Sequence, residues 1–116
     1  MIKIRRGSTT EITVHIPESL DMPSIQNIWL YIAQNIDGCN NKVIIDRSYA
    51  KEELDKDDVE RIISVVLTQE ETLALKVGTA VLQLRLYFDD NTSLPSAEES
   101  VRVLDVYKGG VMTSEN

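Results

Sequence analysis

Apolar and polar residues alternate along much of this 116-residue chain, with the period of two that half-buried β-strands show. The clearest case is residues 79–88, "TAVLQLRLYF". One set of alternate residues is Ala80, Leu82, Leu84, Leu86 and Phe88, and the other is Val81, Gln83, Arg85 and Tyr87. The pattern predicts a strand with one face in a core and the other at the surface.

Six further segments show alternation or are rich in β-branched residues, which also favour strands. Residues 10–16 direct Ile12, Val14 and Ile16 to one face, and residues 27–34 set Ile28, Leu30 and Ile32 against Trp29, Tyr31 and Ala33. The other predicted strands are 2–5 at a sheet edge, 42–46, 61–67 in a sheet interior, and 100–107 with Val101, Val103 and Val106 inward.

One segment, "LTQEETLALKVG", departs from strand periodicity. Thr68 can cap a helix, and Glu71 three residues later completes a capping box. Lys76 suits the negative end of the helix dipole, and Gly78 can adopt the positive φ that ends a helix. We therefore expect one short helix near 68–76.

Turn-forming segments separate the predicted strands at intervals of about ten residues, the spacing of a β-sandwich. They are "PESLDMPS", "DGCNN" and "DDNTSLPS". No long helical pattern alternates with the strands, which argues against a parallel α/β sheet. The prediction is an all-β, antiparallel sandwich of about seven strands, forming one domain over 1–108 with a flexible tail at 109–116.

The net charge and the composition of the chain disfavour some classes of binding partner. Nineteen acidic and twelve basic side chains give a net charge of −7, which disfavours binding to nucleic acid or to anionic membranes. No stretch approaches the roughly 18 apolar residues that cross a bilayer, and the start lacks the apolar core of a signal peptide. Cys39 is the only cysteine, so an intramolecular disulfide is impossible. We expect synthesis and folding in the cytoplasm.

Few residues suggest catalysis or metal binding. His15 is the only histidine and is predicted on an outer strand face, while Cys39 lies in a predicted turn, so a nucleophilic pair has no local signature. The acidic segment 51–60 resembles a calcium loop, but Val59 and Glu60 stand where an EF-hand needs an oxygen ligand and glycine. A solvated loop or single helical turn is the interpretation we favour.

The remaining acidic clusters, "QEET" and "SAEES", fit helix capping and solubility better than the paired carboxylates of a glycosidase. The five glycines form no phosphate-binding pattern. The sequence thus predicts no catalytic residue, no cofactor-binding residue and no metal ligand, and we expect a protein that is not an enzyme.

Aromatic residues on the outer strand faces suggest a different role. Trp29, Tyr31 and Tyr87, together with Arg85, lie opposite the most apolar faces and are of the types enriched in protein interfaces. We predict a protein interface at these four positions. Stacking against a carbohydrate and plain packing beneath the segment 47–60 are the alternatives.

Several segments resemble a known family. "LTQEETLAL", "VGTAVLQLRLYFDDNTSLPS" and "VRVLDVYKGGV" are similar to small β-sandwich structural domains of tailed phages and prophages of Gram-positive bacteria, including the N-terminal domain of baseplate upper proteins. The similarity spans roughly 2–112 and is most specific at 67–73, just before the Gln-Leu-Arg of residues 83–85. The chain departs from the family's commonest form in its "DDNT" loop and in the charged segment 47–60.

The resemblance implies an immunoglobulin-like fold and a non-enzymatic structural role in the virion, in the tail or baseplate. Its partners would be other virion structural proteins or further copies of the chain, in a homo-oligomer. The alternative is a host-encoded immunoglobulin-like adhesion or carbohydrate-binding module, and an enzyme would require a convergent polar pocket.

Overall fold

The computed structural model describes residues 2–36, 38–95 and 98–105, which form two β-sheets. The strands are β1 (Ile2–Arg5), β2 (Thr10–His15), β3 (Ile25–Ile36), β4 (Cys39–Tyr49), β5 (Asp55–Asp57), β6 (Ile62–Leu67), β7 (Gly78–Phe88), β8 (Ser93–Pro95) and β9 (Glu99–Leu104). One α-helix, α1 (Gln69–Leu73), and two 3₁₀ turns, Met22–Ser24 and Lys51–Glu53, complete the described elements.

The larger sheet has six strands in the order β1-β9-β7-β3-β4, with β8 also pairing with β7, and the smaller sheet is β2-β6-β5. All pairs are antiparallel except β1 and β9, which run parallel with Ile2 opposite Val101 and Arg5 opposite Leu104. The all-β, antiparallel sandwich is confirmed, with the β1–β9 pair as a parallel exception at the predicted edge position of residues 2–5.

The core lies between the sheets and is made by the apolar faces that the alternation predicted. In β2, β3, β7 and β9 every inward residue predicted above and described here is buried, while Val106 lies outside the described residues. Burying one large aliphatic side chain contributes about 1.5–3 kcal/mol, so these faces supply most of the driving force for folding. The predicted interior strand β6 is confirmed between β2 and β5, although its Val66 is 49% exposed.

The predicted capping box is present at α1. The Glu71 backbone N–H donates to Thr68 Oγ1 at 3.2 Å, and the Thr68 N–H donates to Glu71 Oε1 at 2.9 Å. The helix ends at Leu73, earlier than predicted, and Leu75 just after it is fully buried in the core. Gly78 does have a positive φ of 134°, but it begins β7 instead of ending the helix.

Three segments predicted as turns or loops contain strand. β4 runs from Cys39 to Tyr49, well beyond the predicted 42–46, because pairing with β3 overrides the local turn preference of the asparagines. The register of the β3–β4 pairing shifts between Ile32 and Ala33, which marks a bulge.

The short strands β5 and β8 account for the difference between the roughly seven predicted strands and the nine in the described residues. The predicted tail at 109–116 lies outside the described residues.

Candidate functional site

The four predicted interface residues lie together on the outer face of the six-stranded sheet. β3 and β7 pair so that Trp29 is opposite Arg85, Tyr31 is opposite Gln83 and Asn27 is opposite Tyr87. The alternate residues of both strands are buried, which directs these side chains away from the core. We call Trp29, Tyr31, Arg85 and Tyr87 the aromatic face.

Direct contacts order the aromatic face. The Trp29 and Tyr31 rings meet edge to face with centroids 6.5 Å apart, and the Arg85 guanidinium carbon lies 5.3 Å from the Trp29 ring centroid. Edge-to-face and cation–π contacts at exposed sites each contribute about 0.5–1.5 kcal/mol. Trp29 nevertheless remains 45% exposed and Tyr87 39% exposed, so the segment 47–60 does not cover them.

A cleft of about 350 Å³ opens within this face, lined by Asn27, Trp29, Arg85, Tyr87 and Ser93. Arg85 Nε donates to Ser93 Oγ at 2.9 Å, and Tyr87 Oη donates to Asn91 Oδ1 at 2.7 Å. Both partners belong to the β7–β8 hairpin, whose loop places Asn91 at a φ of 66°. The hairpin therefore fixes the two side chains that form one wall of the cleft.

Asn27 and Ser93 were missed as candidates from the sequence. Asn27 shares the alternation of Trp29 and could have been included on that ground. Ser93 stood in a predicted loop, and nothing local indicates that β8 pairs back onto β7. A second, shallower depression adjoins Tyr31 and includes the exposed Val43 of β4, so the apolar surface continues along the sheet.

Arg85 is the only charged side chain that lines the cleft among the residues described. The hairpin beside it is stabilised by Asp90, whose Oδ1 accepts from the Thr92 hydroxyl at 2.5 Å and from the Thr92 N–H at 3.1 Å. These two hydrogen bonds, with the hydroxyl contributing more, lower the pKa of Asp90 below its ordinary 3.8. Asp90 thus serves to hold the loop that presents β8.

One titratable group inside the sandwich is also perturbed. Burial raises the pKa of Tyr49 above its ordinary 10.0, Arg47 opposes this, and Glu71 and Glu53 add to it. The Tyr49 hydroxyl is buried and has no hydrogen-bond partner within the part of the chain that the structure describes. Arg47 stacks on the Tyr49 ring at 5.1 Å and binds Glu71 and the Val66 carbonyl, which links the two sheets. These contacts are structural.

The candidate catalytic residues are not brought together by the backbone. His15 is exposed at the end of β2 in the small sheet, as predicted, whereas Cys39 begins β4 in the large sheet. The acidic segment 51–60 contains a 3₁₀ turn and β5, and directly after β5 the Asp57 Oδ1 accepts from the Val59 and Glu60 N–H groups at 2.9 and 3.0 Å. Among residues 2–36, 38–95 and 98–105, no cluster of three or more potential metal ligands occurs.

Within the same ranges, no helix has both the length and the apolar composition that a membrane crossing requires.

Comparison with known proteins defines the fold class. No protein-family model matches the chain, and no curated protein sequence is significantly similar to it. CopC from Methylosinus trichosporium OB3b superposes with a TM-score of 0.50 at 10% identity, over 93% of this chain and 89% of that one. Together with the two-sheet architecture, this likeness identifies the chain as an immunoglobulin-like β-sandwich protein.

Two other solved structures are more distant. Superoxide reductase (neelaredoxin) from Ignicoccus hospitalis gives a TM-score of 0.49 at 17% identity, over 87% of this chain and 73% of that one. Extracellular domains 3–5 of Drosophila OTK give 0.30 at 16% identity, over 91% and 32%. Similarity at these levels carries no information about activity, so the function must be argued from the aromatic face and the sequence.

Proposed function

We propose that this chain is a non-enzymatic structural protein of a tailed phage or prophage, located in the tail or baseplate of the virion. It acts by docking its aromatic face onto other virion proteins or onto copies of itself. The phage assignment rests on the sequence resemblance, which is most specific at 67–73, just before the Gln-Leu-Arg of residues 83–85. The docking mechanism rests on the geometry of the large sheet.

The observation that carries the docking mechanism is an exposed Trp, Tyr and Arg cluster on two central strands. Trp, Tyr and Arg are the residues that most often dominate binding energy at protein interfaces. β3 and β7 are held rigidly because their opposite faces form the core and each pairs with strands on both sides. A preordered surface loses little conformational entropy on binding, which favours its use as a docking site.

The acidic residues support a structural protein over an enzyme, because those with defined contacts hold the fold. Asp57 caps a turn, Glu71 caps α1 and Asp90 holds the β7–β8 loop. A general acid or base must reach a substrate from within a pocket. These three carboxylates lie in separate turns and helix ends, and none lines the cleft.

A second candidate function is favoured by the cleft itself. An open pocket beside an exposed Trp29 suits the stacking of a sugar ring, as in a host-encoded immunoglobulin-like adhesion or carbohydrate-binding module. The cleft volume is at the lower end of the range for small-ligand pockets, about 300–1,000 Å³. The same surface therefore has to be tested against both kinds of ligand.

The test is to purify tailed particles from an induced culture of the source bacterium and to quantify the chain in them by mass spectrometry. We expect the chain in the particles, and we expect Trp29→Ala to lower its incorporation about tenfold or more, since an interface anchor is lost. The matched control is Val66→Ala, which trims an exposed apolar side chain on the opposite sheet. Particles that lack the chain overturn the proposal. Sugar binding on a glycan array that Trp29→Ala abolishes favours the second candidate.

A further inference from the structure

We infer that the cleft binds a carboxylate-bearing segment of the partner protein, an Asp or Glu side chain, with Arg85 as its anchor. This inference rests on the proposed docking function and names the chemistry of the partner. Three observations support it. The Nη1 and Nη2 atoms of Arg85 have no acceptor among the described residues, Trp29 and Tyr87 give the cleft apolar walls, and most of the other arginines are engaged in contacts that hold the fold.

Arg85 is held in place before any ligand binds. Its Nε donates to Ser93 Oγ at 2.9 Å, and its guanidinium plane lies against Trp29 with 5.3 Å between the guanidinium carbon and the ring centroid. Among the described residues no partner accepts from Nη1 or Nη2. These two nitrogens present the parallel pair of N–H groups that a carboxylate accepts bidentately.

The other arginines show that this unused edge is exceptional. Four of the six serve the fold: Arg5 and Arg6 bind Asp105, Arg47 binds Glu71, and Arg61 binds the carbonyl oxygens of residues 16, 17 and 20. The fifth, Arg102, lies exposed on β9 of the same sheet, outside the cleft. Among the described arginines, only Arg85 both lines a cleft and has guanidinium N–H groups without an acceptor in the described part of the chain.

The cleft suits a short acidic segment. Trp29 and Tyr87 supply apolar walls for the aliphatic part of a side chain, and no acidic residue lines the cleft to repel a carboxylate. Because the chain has a net charge of −7, a broadly acidic partner would be repelled. The single cation Arg85 therefore favours a partner that places one acidic side chain in the cleft. The volume of about 350 Å³ admits one or two side chains of an extended segment.

Trp29 makes the test direct, because it is the only tryptophan and its fluorescence reports on the cleft. The full chain is titrated with the capped peptide acetyl-Leu-Glu-Leu-amide, with the matched acetyl-Leu-Gln-Leu-amide, and with glucuronate. We expect a saturable change with the Glu peptide that weakens as salt is added. The Gln peptide should bind about tenfold more weakly, since a charge-assisted hydrogen-bond pair is lost.

Variants assign the effect to Arg85. Arg85→Gln should weaken the Glu peptide about tenfold and abolish its advantage over the Gln peptide, and Arg85→Lys should recover only part of the affinity because it cannot bind bidentately. Arg102→Gln makes the same charge change on the same sheet and should leave the affinity unchanged. The thermal midpoint of each variant confirms that it remains folded.

Equal binding of the two peptides, or no saturable response to the Glu peptide, overturns the inference. Binding of glucuronate without binding of the peptide also overturns it and favours the carbohydrate module. These failures are separable from failure of the proposed function. If the chain is in the particles and Trp29→Ala lowers its incorporation, docking stands without the carboxylate anchor. If the Glu peptide binds but the particles lack the chain, the anchor stands and the virion role fails.

Discussion

The side-chain amide of Gln34 is joined to the backbone of Lys76 by a reciprocal pair of hydrogen bonds. Gln34 Nε2 donates to the Lys76 carbonyl at 2.7 Å, and the Lys76 N–H donates to Gln34 Oε1 at 2.9 Å. Gln34 is 96% buried, and its amide pairs with both backbone groups of Lys76 in the link between α1 and β7. It anchors that link to β3 and thereby fixes where β7 begins.

Replacing Gln34 should therefore be costly. Gln34→Leu removes both hydrogen bonds to the Lys76 backbone, and we expect the free energy of unfolding to fall by about 1–3 kcal/mol. Urea denaturation followed by circular dichroism measures this change. Gln26→Ala on the same strand is the control and should change stability by no more than about 0.5–1 kcal/mol. A Gln34→Leu protein as stable as the parent contradicts the assigned role.

The capping box of α1 is testable in the same way. Thr68→Ala removes the oxygen that accepts from the Glu71 N–H, and the expected loss of stability is about 1 kcal/mol. Thr68→Ser retains that oxygen and should remain close to the parent. Thermal unfolding of the three proteins compares them, and equal losses for Ala and Ser would show that the methyl group matters and the hydrogen bond does not.

The unpartnered hydroxyl of Tyr49 predicts a stabilising substitution. Tyr49→Phe removes a buried polar atom without a hydrogen bond among the described residues, and we expect a gain of about 1 kcal/mol in unfolding free energy. Tyr87→Phe removes a hydroxyl that donates to Asn91 and should give no gain. Chemical denaturation of both variants decides the matter, and a destabilised Tyr49→Phe contradicts the structure at this point.

The raised pKa of Tyr49 adds a dependence on alkaline pH. The pKa of Tyr49 in the folded protein lies above its unfolded value of about 10. The contribution of the protonated hydroxyl to folding stability is therefore fully present below about pH 10 and is lost as the pH rises through the folded pKa. The stability advantage of Tyr49→Phe over the parent should therefore grow between about pH 8 and pH 11. Denaturation midpoints of the two proteins at both pH values measure it, and a constant difference would refute it.

The lowered pKa of Asp90 predicts that the folded protein loses stability as the pH falls, whereas the raised pKa of Tyr49 predicts a loss as the pH rises. The pKa of Asp90 in the folded protein lies below the ordinary 3.8. The contribution of its carboxylate to folding stability is therefore present above the unfolded pKa and is lost as the pH falls through the folded pKa. Thr92→Val removes the hydroxyl donor, and the pKa of Asp90 should rise towards 3.8, whereas Thr92→Ser should keep it low. Carboxyl carbon NMR titration measures the pKa in each protein.

The sequence predicted those parts of the fold that depend on local or periodic information. Alternation identified the buried faces of β2, β3, β7 and β9 because each strand meets the core on one side only. The capping box was readable because its two partners are three residues apart. The same alternation placed Trp29 and Arg85 on outer faces, and antiparallel pairing of their strands made them neighbours.

The remaining features depend on contacts between distant segments. β5 and β8 have three residues each, and only their pairing with β6 and β7 makes them strands. The cleft needs Ser93 beside Arg85, which the β7–β8 register alone determines. Likewise, no local pattern joins Gln34 to Lys76, because the two are 42 positions apart in the chain.

The parallel edge formed by β1 and β9 has a mechanical consequence. When tension is applied at the start of β1 and the end of β9, the two strands are drawn past each other along their length. All the hydrogen bonds between Ile2–Arg5 and Val101–Leu104 then bear the load at once, whereas a pull at one end of the pair would open them one after another. This edge is therefore built to resist stretching of the domain.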